Sequence, residues 1–91
     1  MTLFTPGHAP SAFLAAFHGE QVLLLCKRIG KEPQQGWLID DSIERLMATA
    51  LHLDMRRPHV RRAGREGQHI VLEGATLARA IAETKQLDYA I

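Results

Sequence analysis

The chain has 91 residues, of which 46% are hydrophobic, with a formal net charge of +1 and a single cysteine. That length bounds it to one small domain, and the apolar fraction supplies a core without disulfides or a structural metal. Lone Cys26 excludes an intramolecular disulfide, and no segment approaches the roughly 18 apolar residues of a membrane span.

Leucine, alanine, isoleucine and valine dominate, with Phe4, Phe13, Phe17, Trp37 and Tyr89 as the aromatics, so the core is expected to be aliphatic. A domain this small has a thin stability margin, and a homodimer would enlarge its core. A basic leader followed by a long apolar stretch is missing, which points to a soluble, cytoplasmic chain.

Pro6, Gly7 and Pro10 mark residues 1–10 as an irregular arm ahead of a single α+β domain over 11–91. Alanine-rich 11–17, with phenylalanines four apart, predicts a short helix capped by Ser11. Its rival is a strand turning back through His18 and Gly19. The apolar run Val22-Leu23-Leu24-Leu25-Cys26 reads as a central strand, with a buried helix as the alternative. There Cys26 is expected to be a small buried hydrophobe rather than a nucleophile. Residues 30–36 form a polar connection. Gly36 to Ile39 is an edge strand or a lead-in to a helix, with Trp37 in the core rather than on a stacking surface.

Ile43, Leu46, Met47, Ala50 and Leu51 recur at the spacing of an amphipathic helix over 42–53. Asp41 and Glu44 stand three apart at its start like a capping box, and Pro58 limits its extension. A hairpin follows over 58–73, with Gly64 and Gly67 supplying left-handed turn positions. Residues 76–83 form a second firm helix with Leu77, Ala80 and Ile81 inward, and Leu87, Tyr89 and Ile91 docking back.

The densest chemistry is Met55-Arg56-Arg57-Pro58-His59-Val60-Arg61-Arg62-Ala63-Gly64-Arg65. It holds five of the eleven basic residues and no carboxylate. Such a run repels itself unless acids, water or phosphates neutralise it. Pairing with the cluster Asp40, Asp41 and Glu44 is one solution, and an anionic partner is the other. Arg56 and Arg57 belong to the helix end, where the dipole favours them, while Arg61, Arg62 and Arg65 lie at the hairpin tip.

Other constellations carry less. His8, His18, His52, His59 and His69 lack the spacing of a metal site, although His59 and His69 could face each other across the hairpin. The acidic cluster is explained by capping before catalysis. No cofactor loop is present, so neither catalysis nor a cofactor is expected.

Helix, then Val60-Arg61-Arg62-Ala63-Gly64-Arg65-Glu66-Gly67-Gln68-His69-Ile70-Val71-Leu72, then helix, resembles the recognition helix, wing and trailing helix of bacterial winged-helix repressors. The resemblance covers about half the chain and implies wing arginines on the DNA backbone or in the minor groove. The helix before the hairpin departs from that family, since acids lead it and Arg45 is its only arginine. The expected function is that of a small non-enzymatic regulatory protein binding nucleic acid, DNA first. Its contacts would come from Arg61, Arg62 and Arg65, with Arg56, Arg57 and His69. The alternative is a protein-interaction module, such as an adaptor or an antitoxin-like or phage-type inhibitor, using the same basic surface on an acidic partner.

Overall fold

The computed structural model of the protein describes residues 1–26 and 35–89, with side chains in the last helix described through residue 84. Most of the polar connection expected over 30–36 therefore lies outside the described residues, as does any docking of Leu87, Tyr89 and Ile91. Within them the chain is an α+β domain with the order β1 (Thr2–Phe4), a 3-10 turn (Pro6–His8), α1 (Ala9–Phe17), β2 (Val22–Leu25), β3 (Gly36–Ile39), α2 (Ile43–His52), β4 (Val60–Arg61), β5 (His69–Leu72) and α3 (Gly74–Tyr89). The strands form one mixed sheet in the order β1-β2-β3-β5-β4, with only β1 and β2 parallel.

Strand alternation sorts the apolar residues onto two faces. One face carries Leu23, Leu38, Ile70 and Leu72 against Leu46, Ala50, Leu53, Leu77 and Ala80, so α2 and α3 cover it. The other carries Val22, Leu24 and Ile39 against Ala12 and Ala16 of α1. The continuous apolar run of β2 is explained by this double burial. Gly36 opens β3 because a Cβ there would stand 2.6 Å from Leu77 Cδ1.

The first ten residues are not an irregular arm. Thr2–Phe4 pairs in parallel with Val22–Leu24, placing Leu3 against one core and Phe4 against the other. Proline and glycine content reports the turn at residues 6–8 but not a pairing made twenty residues away. The segment expected from Ser11 is helical, yet it starts at Ala9 with a proline in its first turn, and Ser11 does not cap it. Gly19 ends α1 with φ +95°. Its N–H donates to Ala16 O, and that of Glu20 to Ala15 O, the two reversed bonds of a Schellman motif.

Helix α2 stands where periodicity placed it, but two details differ. Its cap is Ser42, whose hydroxyl accepts from the Arg45 N–H, not Asp41. Leu46 and Ala50 face the sheet, whereas Ile43, Met47 and Leu51 are 43%, 40% and 72% exposed. The rotation is fixed by Arg45, which reaches from α2 to Asp40 at the end of β3 and to the Gly19 carbonyl. Asp54 closes the helix with φ +63° in a second Schellman motif, Met55 N–H donating to Ala50 O and Asp54 N–H to Leu51 O. Arg56 and Arg57 therefore lie beyond the chain reversal rather than on the last turn of the helix.

The hairpin is real and short. β4 has two residues at the sheet edge, and β5 is an interior strand bonded to both β4 and β3. A strand, β3, precedes α2, so no helix pair leads into the hairpin. The last helix runs longer than expected, over Gly74–Tyr89, with Leu77 and Ala80 buried and Ile81 partly so.

Candidate functional site

Helix α1 packs mainly on β2, and the α1 side of β5 and β4 carries only part of that cover. Register places His69 and Val71 on this side, with Arg61 directly opposite His69. His59 and His69 are thus not cross-strand partners. Arg61 takes the position expected of His59.

The hairpin turn folds back toward α1. Arg62 adopts φ +56°, held by the Arg65 N–H donating to its carbonyl and by its own Nε donating to Glu66 O. Left-handed geometry in a non-glycine residue persists only where neighbouring contacts fix it. Gly64 (φ +74°) and Gly67 (φ +78°) supply the remaining left-handed positions. Buried Gln68 fastens the turn by accepting from the Gly64 N–H. The site of a Gly67 Cβ is 3.6 Å from Phe13 Cε1, so the turn lies near α1 instead of standing clear as a wing.

Between them is a cavity of about 290 Å³ lined by Phe13, Phe17, Trp37, Asp41, Arg62, Glu66 and His69, among others. Trp37 and His69 stack at 4.1 Å with an interplanar angle of 14°, and Phe13 meets Trp37 edge-on at 6.2 Å. Trp37 is half-buried and packs against the α1-side core. His69 Nδ1 lies 2.8 Å from Gly67 O. A carbonyl can only accept, so Nδ1 carries the proton, and in the neutral ring Nε2 is a bare acceptor. Nε2 is buried without a hydrogen-bond partner, alone in this among the described side chains. An adjoining depression is lined by Phe17, Asp41, Arg65, Glu66 and Gln68.

All five arginines of the run are exposed, and none takes part in an ion pair among the described residues. No carboxylate of the acidic cluster forms an ion pair with them among the described residues, although Asp41 lines the same two depressions as Arg62 and Arg65. The buried member of the cluster, Asp40, takes a two-point pair from Arg45, Nε–Oδ2 and Nη2–Oδ1 both 2.7 Å. It also accepts from Gln21 Nε2 and the Ser42 N–H. The hydrogen bonds donated to Asp40 push the Arg45 pKa up further from its ordinary value. With those partners Asp40 is a structural acceptor. Arg62 lines the main cavity and Arg65 the adjoining one, Arg61 flanks His69, and Arg56 and Arg57 line neither.

Cys26 is partly buried beside an apolar depression with Phe13, Leu24 and Trp37, and burial pushes its thiol pKa up. That is the direction opposite to an activated nucleophile. Of the residues lining the two depressions, Arg62, Arg65 and His69 are ones that basic charge marks in the sequence, whereas Phe13, Phe17, Asp41 and Glu66 are not. The phenylalanines at four-residue spacing were the available signal, since only one row of α1 can face the sheet and Ala12 and Ala16 take it.

Comparison with known proteins yields no match to a family model, a curated protein or a solved structure. Among the described residues no helix is long and apolar enough to cross a membrane.

Proposed function

We propose that the protein is a small non-enzymatic nucleic-acid-binding module in which Arg61, Arg62 and Arg65 hold phosphates at the rim of an aromatic cavity. The observation that carries this reading is the set of exposed arginines, unpaired among the described residues, beside Phe13, Phe17, Trp37 and His69. Basic side chains tracking a backbone next to aromatic faces that stack bases are the two components of single-strand recognition. A turn lying near α1 suits a single strand better than insertion into a duplex groove, so DNA or RNA in single-stranded form is the favoured partner. Arg56 and Arg57, set apart from the cavity, add long-range attraction more than register.

The test is retention of a single-stranded oligonucleotide in a mobility assay by the full chain and by a variant carrying Arg61→Ala, Arg62→Gly and Arg65→Ala. Glycine at 62 relieves the left-handed backbone, so the variant keeps its fold. Loss of retention in the folded variant is expected, and unchanged retention would falsify the proposal. A stoichiometric acidic protein that co-purifies after nuclease treatment, with no oligonucleotide retained, would favour the interaction-module alternative.

A further inference from the structure

We infer that the cavity between α1 and the hairpin takes one amino-bearing nucleobase, an inference that rests on the nucleic-acid reading above. The polar groups facing the cavity divide by chemistry. Asp41 and Glu66 line the cavity, and their carboxylates can only accept hydrogen bonds. A ligand matching this wall brings N–H donors. Cytosine, adenine and guanine carry an exocyclic amino group, and carboxylates accept from the cytosine amine in known base recognition. Thymine and uracil offer one ring N–H between two carbonyls, and those carbonyls would face carboxylate oxygens.

Shape selects the same class. Phe13, Phe17 and the stacked pair Trp37 and His69 are flat apolar surfaces on which a planar heterocycle gains stacking energy. A volume of about 290 Å³ is at the low end of small-molecule sites and holds a base. Arg62 on the same wall disfavours a cationic side chain, which the aromatic rings and carboxylates would otherwise welcome. It instead suits the phosphate attached to the base, and Arg65 in the adjoining depression suits the next one.

Trp37 is the only tryptophan in the chain and sits in the cavity wall, so its fluorescence reports occupancy. The experiment titrates the full chain at fixed low salt with oligo-dC, oligo-dT and an abasic oligonucleotide of equal length. It follows Trp37 emission and total binding by anisotropy of a labelled strand. The expected result is that oligo-dC binds about tenfold more tightly than oligo-dT and quenches Trp37, while the abasic strand binds weakly without quenching. Phe17→Ala, on a 60% exposed side chain, should erase the preference of oligo-dC over oligo-dT. Glu66→Gln should weaken that preference while raising binding of every strand, since a carboxylate beside Arg62 and Arg65 is lost. Equal binding of oligo-dC and oligo-dT with Trp37 unaffected overturns this inference and leaves the arginine reading standing. No binding of any strand overturns both.

Discussion

Trp37 and His69, on adjacent antiparallel strands and diagonal to one another, stack with ring centroids 4.1 Å apart. The pair links sheet register to the candidate site. Ile39 lies opposite His69, so Trp37, two residues earlier on β3, falls on the same face within reach of an aromatic ring. It also brings a polar ring into a buried position, at a cost of about 1–3 kcal/mol for the unpartnered nitrogen.

His69→Phe should therefore be at least as stable as the natural protein. The ring stack is kept and the unpartnered Nε2 is removed, offsetting the roughly 1 kcal/mol lost with the Nδ1 bond to Gly67 O. Urea unfolding checks this: the midpoint should hold or rise. A midpoint well below that of the natural protein would mean that Nε2 is satisfied in solution.

Arg45→Ala should destabilise the fold by about 2 kcal/mol. Removing one member of a buried pair costs roughly 3–5 kcal/mol, discounted here because the Arg45 side chain is 46% exposed while Asp40 is fully buried. The loss includes the bond to Gly19 O that ties the end of α1 to α2. Adding Asp40→Asn should recover part of it, since the carboxamide still accepts from the Ser42 N–H without leaving an unpaired charge. A double-mutant cycle from denaturant midpoints reads this coupling directly.

Asp54 occupies the left-handed position that Gly19 occupies at the end of α1. Asp54→Gly should leave stability equal or up to about 1 kcal/mol higher, because its exposed pair with Arg79 contributes little. Asp54→Val, with a β-branched side chain at positive φ, should lower it by about 1–2 kcal/mol. Thermal unfolding of the two variants side by side separates backbone strain from charge, since both remove the carboxylate.

What could be read in the sequence followed local chemistry. The α2 pattern, the glycines of the hairpin turn and the break at Gly74 were legible because each is set by residues within a few positions. The strand at Thr2–Phe4 was not, because its partner β2 is brought alongside by α1. Nor was the orientation of α2. The row Ile43, Met47, Leu51 and the row Leu46, Ala50, Leu53 both satisfy helical spacing, and the contact of Arg45 with Asp40 decides between them. The lining of the candidate site was half legible. Charge density marked Arg61, Arg62 and Arg65, while the aromatic wall is assembled from α1, β3 and β5 by pairings that no local pattern encodes.

The central claim, that hairpin arginines hold phosphates, is tested most directly by the salt dependence of single-strand binding. Three phosphate contacts predict that log K falls against log salt with a slope near −2, at about −0.7 per contact. Arg62→Gly should make that slope shallower by about 0.7 without changing the unfolding free energy by more than about 1 kcal/mol. A slope near zero, or one unaltered in the variant, would contradict the claim.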